Sequence, residues 1–230
     1  MLIVTAHPDD VDFGAAGTVA TWTEAGVEVV YCIVTDGDAG GFDPAVPRSA
    51  IAGIRRDEQT RAAKEVGVDR LVFLGYPDGA LEATLALRKD ISRVIRQIRP
   101  NRVLCQSPER NYQRIFASHP DHLAAGEATL CAVYPDARNP FTFTDLLSVE
   151  HLEAWSVDDV WMMAGPKSDT VVDITDQMNR KIRALRCHES QHTDPDGIEQ
   201  RVRSWNLFNA QNFDLAEGRS AEIFTVIDTR

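Results

Sequence analysis

Cysteine is scarce in this sequence, and the few cysteines present are not paired. Only 4 of the 230 residues are cysteine, and no two of them stand in a CxxC arrangement. This scarcity argues against a zinc finger and against a disulfide framework. Cys32 and Cys105 lie in apolar runs that are typical of strands, so we predict that both are small core residues.

Long apolar runs are also missing. No stretch approaches the roughly 20 apolar residues that a membrane-spanning helix needs. The chain begins Met1-Leu2-Ile3, without the basic segment and long apolar core of a secretory signal peptide. We therefore expect a soluble, cytoplasmic protein with no membrane partner, in a compartment that keeps cysteines reduced.

Basic residues are in the minority. The chain has 24 Lys and Arg against 35 Asp and Glu, a formal net charge of −11. Such a charge repels a phosphate backbone, so we expect no nucleic-acid partner. One basic group does occur locally, and we interpret it as a solvated helix face. Its members are Arg55, Arg56, Arg61 and Lys64.

The chain contains no Pro/Ser/Gly-rich linker, no low-complexity tract and no repeat of fixed period. Its composition, 43% hydrophobic and 26% charged, is that of an ordinary globular protein. The length alone would allow one or two domains, and it is enough for one sizeable core. We therefore predict a single domain over residues 1–230.

Strand-like and helix-like segments alternate through residue 135. The predicted strands are 2–6, 27–35, 70–74, 102–106, 157–163, 170–174 and 222–227. The predicted helices are 12–25, 51–66, 87–99, 120–133, 175–190 and 198–210, and residues 36–50 are a predicted loop. This alternation predicts an α/β three-layer sandwich whose sheet is mostly parallel. Ligands bind beyond the carboxyl ends of the strands in such folds.

The first predicted strand leads directly into His7-Pro8-Asp9-Asp10. Pro8 stiffens this turn and holds its neighbours extended. A helix start would account for one aspartate as an N-cap. It does not account for a histidine and two aspartates together, so we favour a functional site here.

The second polar cluster is His119-Pro120-Asp121-His122. Pro120 suits the first position of a helix, which places His119 at the N-cap. His119 and His122 are three residues apart and therefore share a helix face. Asp36 and Asp78 also follow predicted strands, although either aspartate could simply form a turn.

Together the two clusters contain the groups that a catalytic metal site requires. Two histidines and one carboxylate make a three-ligand zinc set with a fourth position open. A second carboxylate is then available as a general base, and a further histidine as an oxyanion stabiliser or acid. Iron and manganese also accept imidazole and carboxylate ligands, so Fe²⁺ or Mn²⁺ stays open beside Zn²⁺.

The stretch A-H-P-D-D-V-D-F-G at residues 6–14, followed by H-P-D-H at residues 119–122, resembles the LmbE-like, or PIG-L-type, N-acetylglucosaminyl deacetylases. Further similarity is carried by Thr35-Asp36-Gly37, by Arg55-x-x-Glu58 and by L-G-Y-P-D-G at residues 74–79. The resemblance implies a Rossmann-like fold without a nucleotide. It also implies zinc-dependent removal of an N-acyl group from an amino sugar or its conjugate.

The resemblance also implies a role for each residue of the two motifs. The implied metal ligands are His7, Asp10 and His122. Asp9 would be the general base, and His119 would stabilise the oxyanion or act as the acid. Asp121 would orient His119 and raise its pKa. The chain departs from the family pattern at Asp12, where glutamate is common, and we leave Asp12 out of the site.

Substrate contacts are less specific in the sequence. We predict Arg55, Asp78 and Tyr112 as substrate-binding residues. Arg55 has an alternative as a helix ion pair with Glu58. The segment His188-Glu189-Ser190-Gln191 near the C-terminus also resembles the family, but we interpret His188 as a core residue.

Other functions remain possible from the sequence alone. The substrate could be a different amide, such as a mycothiol-type conjugate or an antibiotic precursor, and the chain could form a homo-oligomer. A non-catalytic metal or sugar binder would be expected to lack its base, whereas this chain keeps Asp9. The fold class would also suit a nucleotide-binding oxidoreductase, but no G-x-G-x-x-G follows the first strand.

Overall fold

A computed structural model describes residues 1–230, and its seven strands form one sheet. The strands are β1 (Leu2–Thr5), β2 (Val30–Thr35), β3 (Arg70–Tyr76), β4 (Arg102–Gln106), β5 (Asp159–Met163), β6 (Thr170–Asp173) and β7 (Ala221–Asp228). Their order across the sheet is β3-β2-β1-β4-β5-β7-β6. Neighbouring strands among β1 to β5 are parallel, and β7 is antiparallel to both β5 and β6. The predicted α/β class with a mostly parallel sheet is confirmed.

Eight helices accompany the sheet. They are α1 (Asp10–Gly14), α2 (Ala16–Glu24), α3 (Arg48–Glu65), α4 (Leu85–Ile98), α5 (Pro120–Cys131), α6 (Thr144–Ser148), α7 (Met178–Arg186) and α8 (Pro195–Asn212). No helix combines the length and the apolar character needed to span a bilayer. The predicted single domain stays a prediction, although strands from both ends of the chain share the sheet.

Side chains of the strands alternate between two cores, as the pleat requires. Leu2 and Val4 of β1 belong to the cluster that contains the apolar faces of α4 and α5. Ile3, between them, belongs to the cluster that contains α2 and α3. Cys32 and Cys105 are fully buried and unpaired, which confirms them as core residues.

The order of the strands determines where a site can form. β1 lies between β2 and β4. From β1 the sheet grows in one direction through β2 and β3, and in the other direction through β4 and β5, so the strand order reverses at β1. Such a switch point opens a crevice at the carboxyl ends of the strands. The turn after β1 contains His7, and the segment after β4 leads to His119. Both predicted clusters therefore start from this crevice.

Several predicted boundaries were wrong. The predicted helix 12–25 is two helices, because Ala15 leaves the helical region with φ −147° and ψ 3°. The predicted loop 36–50 already contains the start of α3 at Arg48, directly after Pro47. The predicted helix 175–190 has a 3₁₀ turn at each end of α7, so His188 lies outside the α-helix. The short α6 was not predicted.

Candidate metal centre

The first polar cluster lies in the turn between β1 and α1. The His7 backbone N–H donates to the Asp10 carboxylate over 2.7 Å. Asp9 adopts φ 90°, which is uncommon for a residue with a side chain. The turn brings the side chains of His7 and Asp10 together, and strain at Asp9 marks it as a position that the surrounding structure must hold.

The second cluster begins α5. Pro120 occupies the first turn, and the Nδ1 atom of the N-cap residue His119 accepts the backbone N–H of Asp121 over 3.2 Å. The ring centroids of His7 and His122 are 5.2 Å apart, and those of His7 and His119 are 4.9 Å apart. The two motifs, more than 100 residues apart in sequence, therefore form one cluster.

The three predicted ligands converge on one point. His7 Nδ1 lies 3.3 Å from Asp10 Oδ2 and 3.3 Å from His122 Nε2, and His122 Nε2 lies 3.0 Å from Asp10 Oδ1. Zinc bonds of about 2.0–2.2 Å in a tetrahedron separate ligand atoms by roughly 3.3–3.5 Å. The spacing thus fits one divalent cation after a small expansion.

Two overlapping groups also bring ligand atoms within 4.8 Å of one another. They are His7, His119 and His122, and His7, Asp78 and Asp121. His7 belongs to both groups and to the predicted set.

The outer nitrogens of the two predicted histidine ligands are occupied. His7 Nε2 lies 3.1 Å from Asp78 Oδ1 and 3.2 Å from Asp121 Oδ2. His122 Nδ1 lies 3.2 Å from the Ala117 carbonyl oxygen. Metal-binding histidines in proteins are held by such acceptors, which fix the tautomer so that the inner nitrogen can bind the metal. This arrangement supports the predicted ligand set.

The charged groups of the cluster shift the pKa values of their neighbours so that His7 favours its protonated form and Asp10 its ionised form. Burial lowers the pKa of the His7 imidazole, but the Asp10 charge and hydrogen bonds to Asp10, Asp121 and Asp78 raise it to about 12. Burial raises the pKa of Asp10, but His122 and His7 bring it well below its usual value. Asp10 is consequently an ionised carboxylate beside His7 and His122. The same negative surroundings that favour a proton on His7 would favour a divalent cation, which displaces that proton when the histidine binds it.

Asp9 lies beside the cluster and is held from α3. The Arg55 guanidinium donates to Asp9 Oδ2 over 3.0 Å, and the Gln59 side-chain oxygen accepts the Asp9 backbone N–H over 2.7 Å. Burial raises the pKa of Asp9 to about 6, against the lowering effect of Arg55. A carboxylate with a pKa near the working pH is suited to accept and return a proton.

Sequence reasoning missed the residues that hold Asp9 from behind. Gln59 Nε2 donates to Asp12 Oδ2 over 2.9 Å, and His188 Nε2 lies 2.8 Å from the same oxygen. All three side chains are fully buried. His188 is the core residue that we predicted, but it is also linked to Asp9 through this chain. Gln59 follows Arg55 by four residues, and this spacing could have predicted that both side chains lie on the same face of the helix.

Arg55 is not part of a solvated helix face. Its side chain is 4% exposed and lies 3.7 Å from Asp78, whereas Arg56 and Arg61 are exposed as predicted. The alternative ion pair with Glu58 is wrong. Glu58 instead accepts the backbone N–H and the hydroxyl of Ser190, each over 2.7 Å.

Asp121 has a different partner from the one we predicted. Its carboxylate accepts the backbone N–H groups of Gly79 and Leu81 and contacts His7, because the second helical residue faces the loop after β3. Burial and the charge of His7 leave the pKa of His119 below its usual value, although Asp121 acts in the opposite direction. Asp121 therefore acts on the pKa of His119 in the predicted direction, but burial and His7 outweigh its effect.

A cavity of about 520 Å³ opens on one side of the cluster. Asp10 and His122 reach its floor, and its walls are mainly apolar. The wall residues include Phe13, Phe116, Met163, Ile198, Val202 and Trp205. Tyr112 does not line this cavity and is 79% exposed, so its substrate role stays a prediction. Sequence reasoning did not connect α8 with the site.

Comparisons with known proteins agree with the geometry. Residues 2–133 match the model of the family described as PIG-L, GlcNAc-PI de-N-acetylase. The chain is 37% identical over 191 residues to a diacetylchitobiose deacetylase of Thermococcus kodakarensis, covering 83% of this chain and 69% of that protein. It is 31% identical over 198 residues to a probable N-acetyl-alpha-D-glucosaminyl L-malate deacetylase 2 of Bacillus anthracis, covering 83% and 80%.

Among solved structures, the chain is similar to an N,N'-diacetylchitobiose deacetylase from Pyrococcus horikoshii. The TM-score is 0.90 at 30% identity, covering 99% of this chain and 83% of that one. The relatives named here are deacetylases, which supports the predicted enzyme class. The family match covers more than half of the chain and includes both motifs. The chain therefore belongs to the PIG-L family.

Proposed function

We propose that this protein is a zinc-dependent amide hydrolase that removes an N-acyl group from an amino sugar or an amino-sugar conjugate. The convergence of His7, Asp10 and His122, at 3.0–3.3 Å from one another, carries this proposal. The names of the relatives support an N-acetylated amino sugar as the substrate class, since they refer to diacetylchitobiose and to N-acetylglucosaminyl malate.

The metal ion and the residues around it would have separate roles in the reaction. Zinc at this position would polarise the amide carbonyl and lower the pKa of a water molecule to about 7. Asp9 takes the proton of the water that attacks the carbonyl carbon. It then returns this proton to the amide nitrogen as the C–N bond breaks, which leaves a carboxylic acid and a free amine.

We assign to His119 the stabilisation of the negative charge on the carbonyl oxygen. Its Nδ1 accepts the Asp121 backbone N–H, so the neutral ring carries its proton on Nε2. A neutral imidazole donates a hydrogen bond to an oxyanion. This tautomer favours the oxyanion role over the acid role for His119.

Arg55 and Asp78 lie together on the Asp9 side and are our proposed contacts for the sugar hydroxyls. Buried charged groups of this kind orient polar substrates through a few hydrogen bonds. The cytoplasmic location and a homo-oligomer remain predictions from the sequence.

Two measurements on the purified protein test the proposal. We expect elemental analysis to find about one zinc ion per chain, and amine release from at least one member of a panel of N-acetylated amino sugars and conjugates. Protein without metal after reconstitution contradicts the ligand set. Zinc-loaded protein that releases no amine from any member of the panel contradicts the substrate class.

A further inference from the structure

The cavity beside the metal cluster has an unusual composition for a sugar site. Asp10 is the only carboxylate among its lining residues, and no serine, threonine or tyrosine lines it. The amide oxygen of Gln106 already accepts the Ala6 backbone N–H over 2.9 Å. The other polar side chains of the lining are Arg114, His122, His192 and Arg201. Arginine only donates, so His192 is the main remaining acceptor for sugar hydroxyls that enter this space, and unpaired polar groups are unfavourable when buried.

The apolar walls come from three separate elements. Phe13 lies on α1, Met163 ends β5, and Val202 and Trp205 lie on α8. Met163 and Val202 are each 3% exposed, so the inner wall is well packed. The Arg114 guanidinium lies 4.5 Å above the Trp205 ring, without a salt bridge or side-chain hydrogen bond. Such a lining takes up an apolar ligand.

The position of the cavity indicates which part of the substrate enters it. Asp10 and His122 reach the cavity, whereas Asp9, Asp78 and Arg55 do not line it. An amide held at the cluster has two substituents, and the amine must lie on the side of Asp9, which returns the proton. The acyl substituent therefore points toward the apolar cavity.

We propose that this cavity is an acyl-binding subsite, and that the preferred acyl group is an aliphatic chain longer than acetyl. The inference rests on the proposed amide hydrolysis and specifies its substrate class. An acetyl methyl occupies about the space of one water molecule, roughly 30 Å³. The cavity of about 520 Å³ is more than ten times larger.

The test is a series of N-acylglucosamines with acetyl, butyryl, hexanoyl and octanoyl groups. Each buried methylene strengthens binding about threefold to fourfold, so kcat/KM for hexanoyl should exceed that for acetyl by about 100-fold. A kcat/KM that is highest for acetyl and falls with chain length overturns the acyl subsite but leaves the proposed function intact.

Variants of α8 test whether the preference for longer acyl groups arises in this cavity. Val202→Trp fills the cavity and should reduce the hexanoyl-to-acetyl ratio of kcat/KM at least tenfold. Phe208→Trp, on an exposed position of the same helix, is the matched control and should keep the wild-type ratio. Ile198→Phe is a second cavity variant in case Val202→Trp does not fold. An unchanged ratio in a folded cavity variant contradicts the proposal.

Binding of alkanoates separates this inference from the proposed function. By calorimetry, hexanoate and octanoate should bind the protein at least tenfold more tightly than acetate, with or without zinc. If no N-acylglucosamine is hydrolysed but this order holds, the acyl subsite is supported and the glucosamine substrate is rejected. Equal binding of acetate and octanoate overturns the subsite independently of catalysis.

Discussion

The two sides of the His7–Asp10–His122 cluster differ in polarity: one consists of hydrogen-bonded polar side chains and the other mainly of apolar ones. On one side, Arg55 and Gln59 hold Asp9 through hydrogen bonds, and buried Asp12 and His188 stand behind them. On the other side, apolar side chains surround an open cavity. The chemistry depends on placement within fractions of an ångström, which directional hydrogen bonds provide. The choice of substrate depends on the volume of the cavity, and substitution of one apolar side chain by another changes that volume.

The two sides also draw mainly on different parts of the chain, although Phe13 and Phe116 contribute to the apolar side and His188 to the polar side. Asp9, Arg55 and Gln59 lie within residues 2–133, which match the family model. Val202 and Trp205 of α8 lie beyond it. The comparison suggests that the family's common chemistry resides in the first half of the chain, and that the second half sets the choice of acyl group. The following changes test this division.

The largest effect is expected from removing a ligand that both sides share. His122→Ala leaves two of the three predicted ligands, so the protein should lose its zinc and with it all measurable turnover. Elemental analysis after reconstitution and dialysis measures the loss. Cys131→Ala, at the other end of α5, is the control and should keep wild-type zinc. Full zinc occupancy in His122→Ala would mean that another group of the cluster binds the metal.

Asp9→Asn tests the polar side without changing its shape. A general base contributes about 10²–10⁴ to the rate, so kcat should fall by about 1,000-fold while the zinc content stays that of the wild type. Amine-release kinetics and elemental analysis on the same preparation separate the two properties. If the variant loses zinc and Asp10→Asn retains it, the roles of the two aspartates are exchanged.

Lys181→Met tests whether the apolar side depends on polar support. Lys181 is fully buried and donates to Glu222 over 2.6 Å and to the carbonyl oxygen of Phe13, a cavity residue. Glu222 would lose its counter-charge, although it would keep the N–H groups of Gly17 and Thr18. We expect a loss of about 3 kcal/mol in the free energy of unfolding.

Urea denaturation measures this loss. Lys64→Met, an exposed lysine on α3, is the matched control and should change stability by about 0.5 kcal/mol or less. The double variant Lys181→Met with Glu222→Gln should recover part of the loss, because it removes the buried unpaired charge. A Lys181→Met variant as stable as the wild type would show that the pair does not support the cavity wall.

The predicted ligands were brought together because short motifs at strand ends converge by a general rule of parallel sheets. His7 follows β1, His122 lies beyond β4, and these two strands are neighbours. No comparable rule predicts that His188 contacts Asp12, 176 residues away in sequence. That contact depends on how the segment after α7 packs, and spacing along the chain carries no information about it.

The errors around Asp121 and Arg55 have the same origin. The family resemblance implied that Asp121 would orient His119, but its carboxylate accepts two N–H groups of the loop after β3. Arg55 belongs to a basic run, yet it alone among Arg55, Arg56 and Arg61 points into the turn after β1. Secondary structure assigns a side chain to a face, and tertiary packing decides its partner.

Gln59→Leu is the smallest change and addresses the support behind Asp9. It keeps the volume nearly constant but removes both hydrogen bonds of Gln59, to the Asp9 N–H and to Asp12. Loss of an outer contact of this kind reduces activity by about 10-fold to 100-fold. We expect kcat to fall about 10-fold, KM and zinc content to stay constant, and Thr60→Val on the next position of α3 to behave as the wild type. A variant that loses stability but keeps its kcat would show that Gln59 only packs. If kcat falls while KM and the zinc content stay constant, Gln59 serves to hold Asp9, with its strained φ, in the position that proton transfer requires.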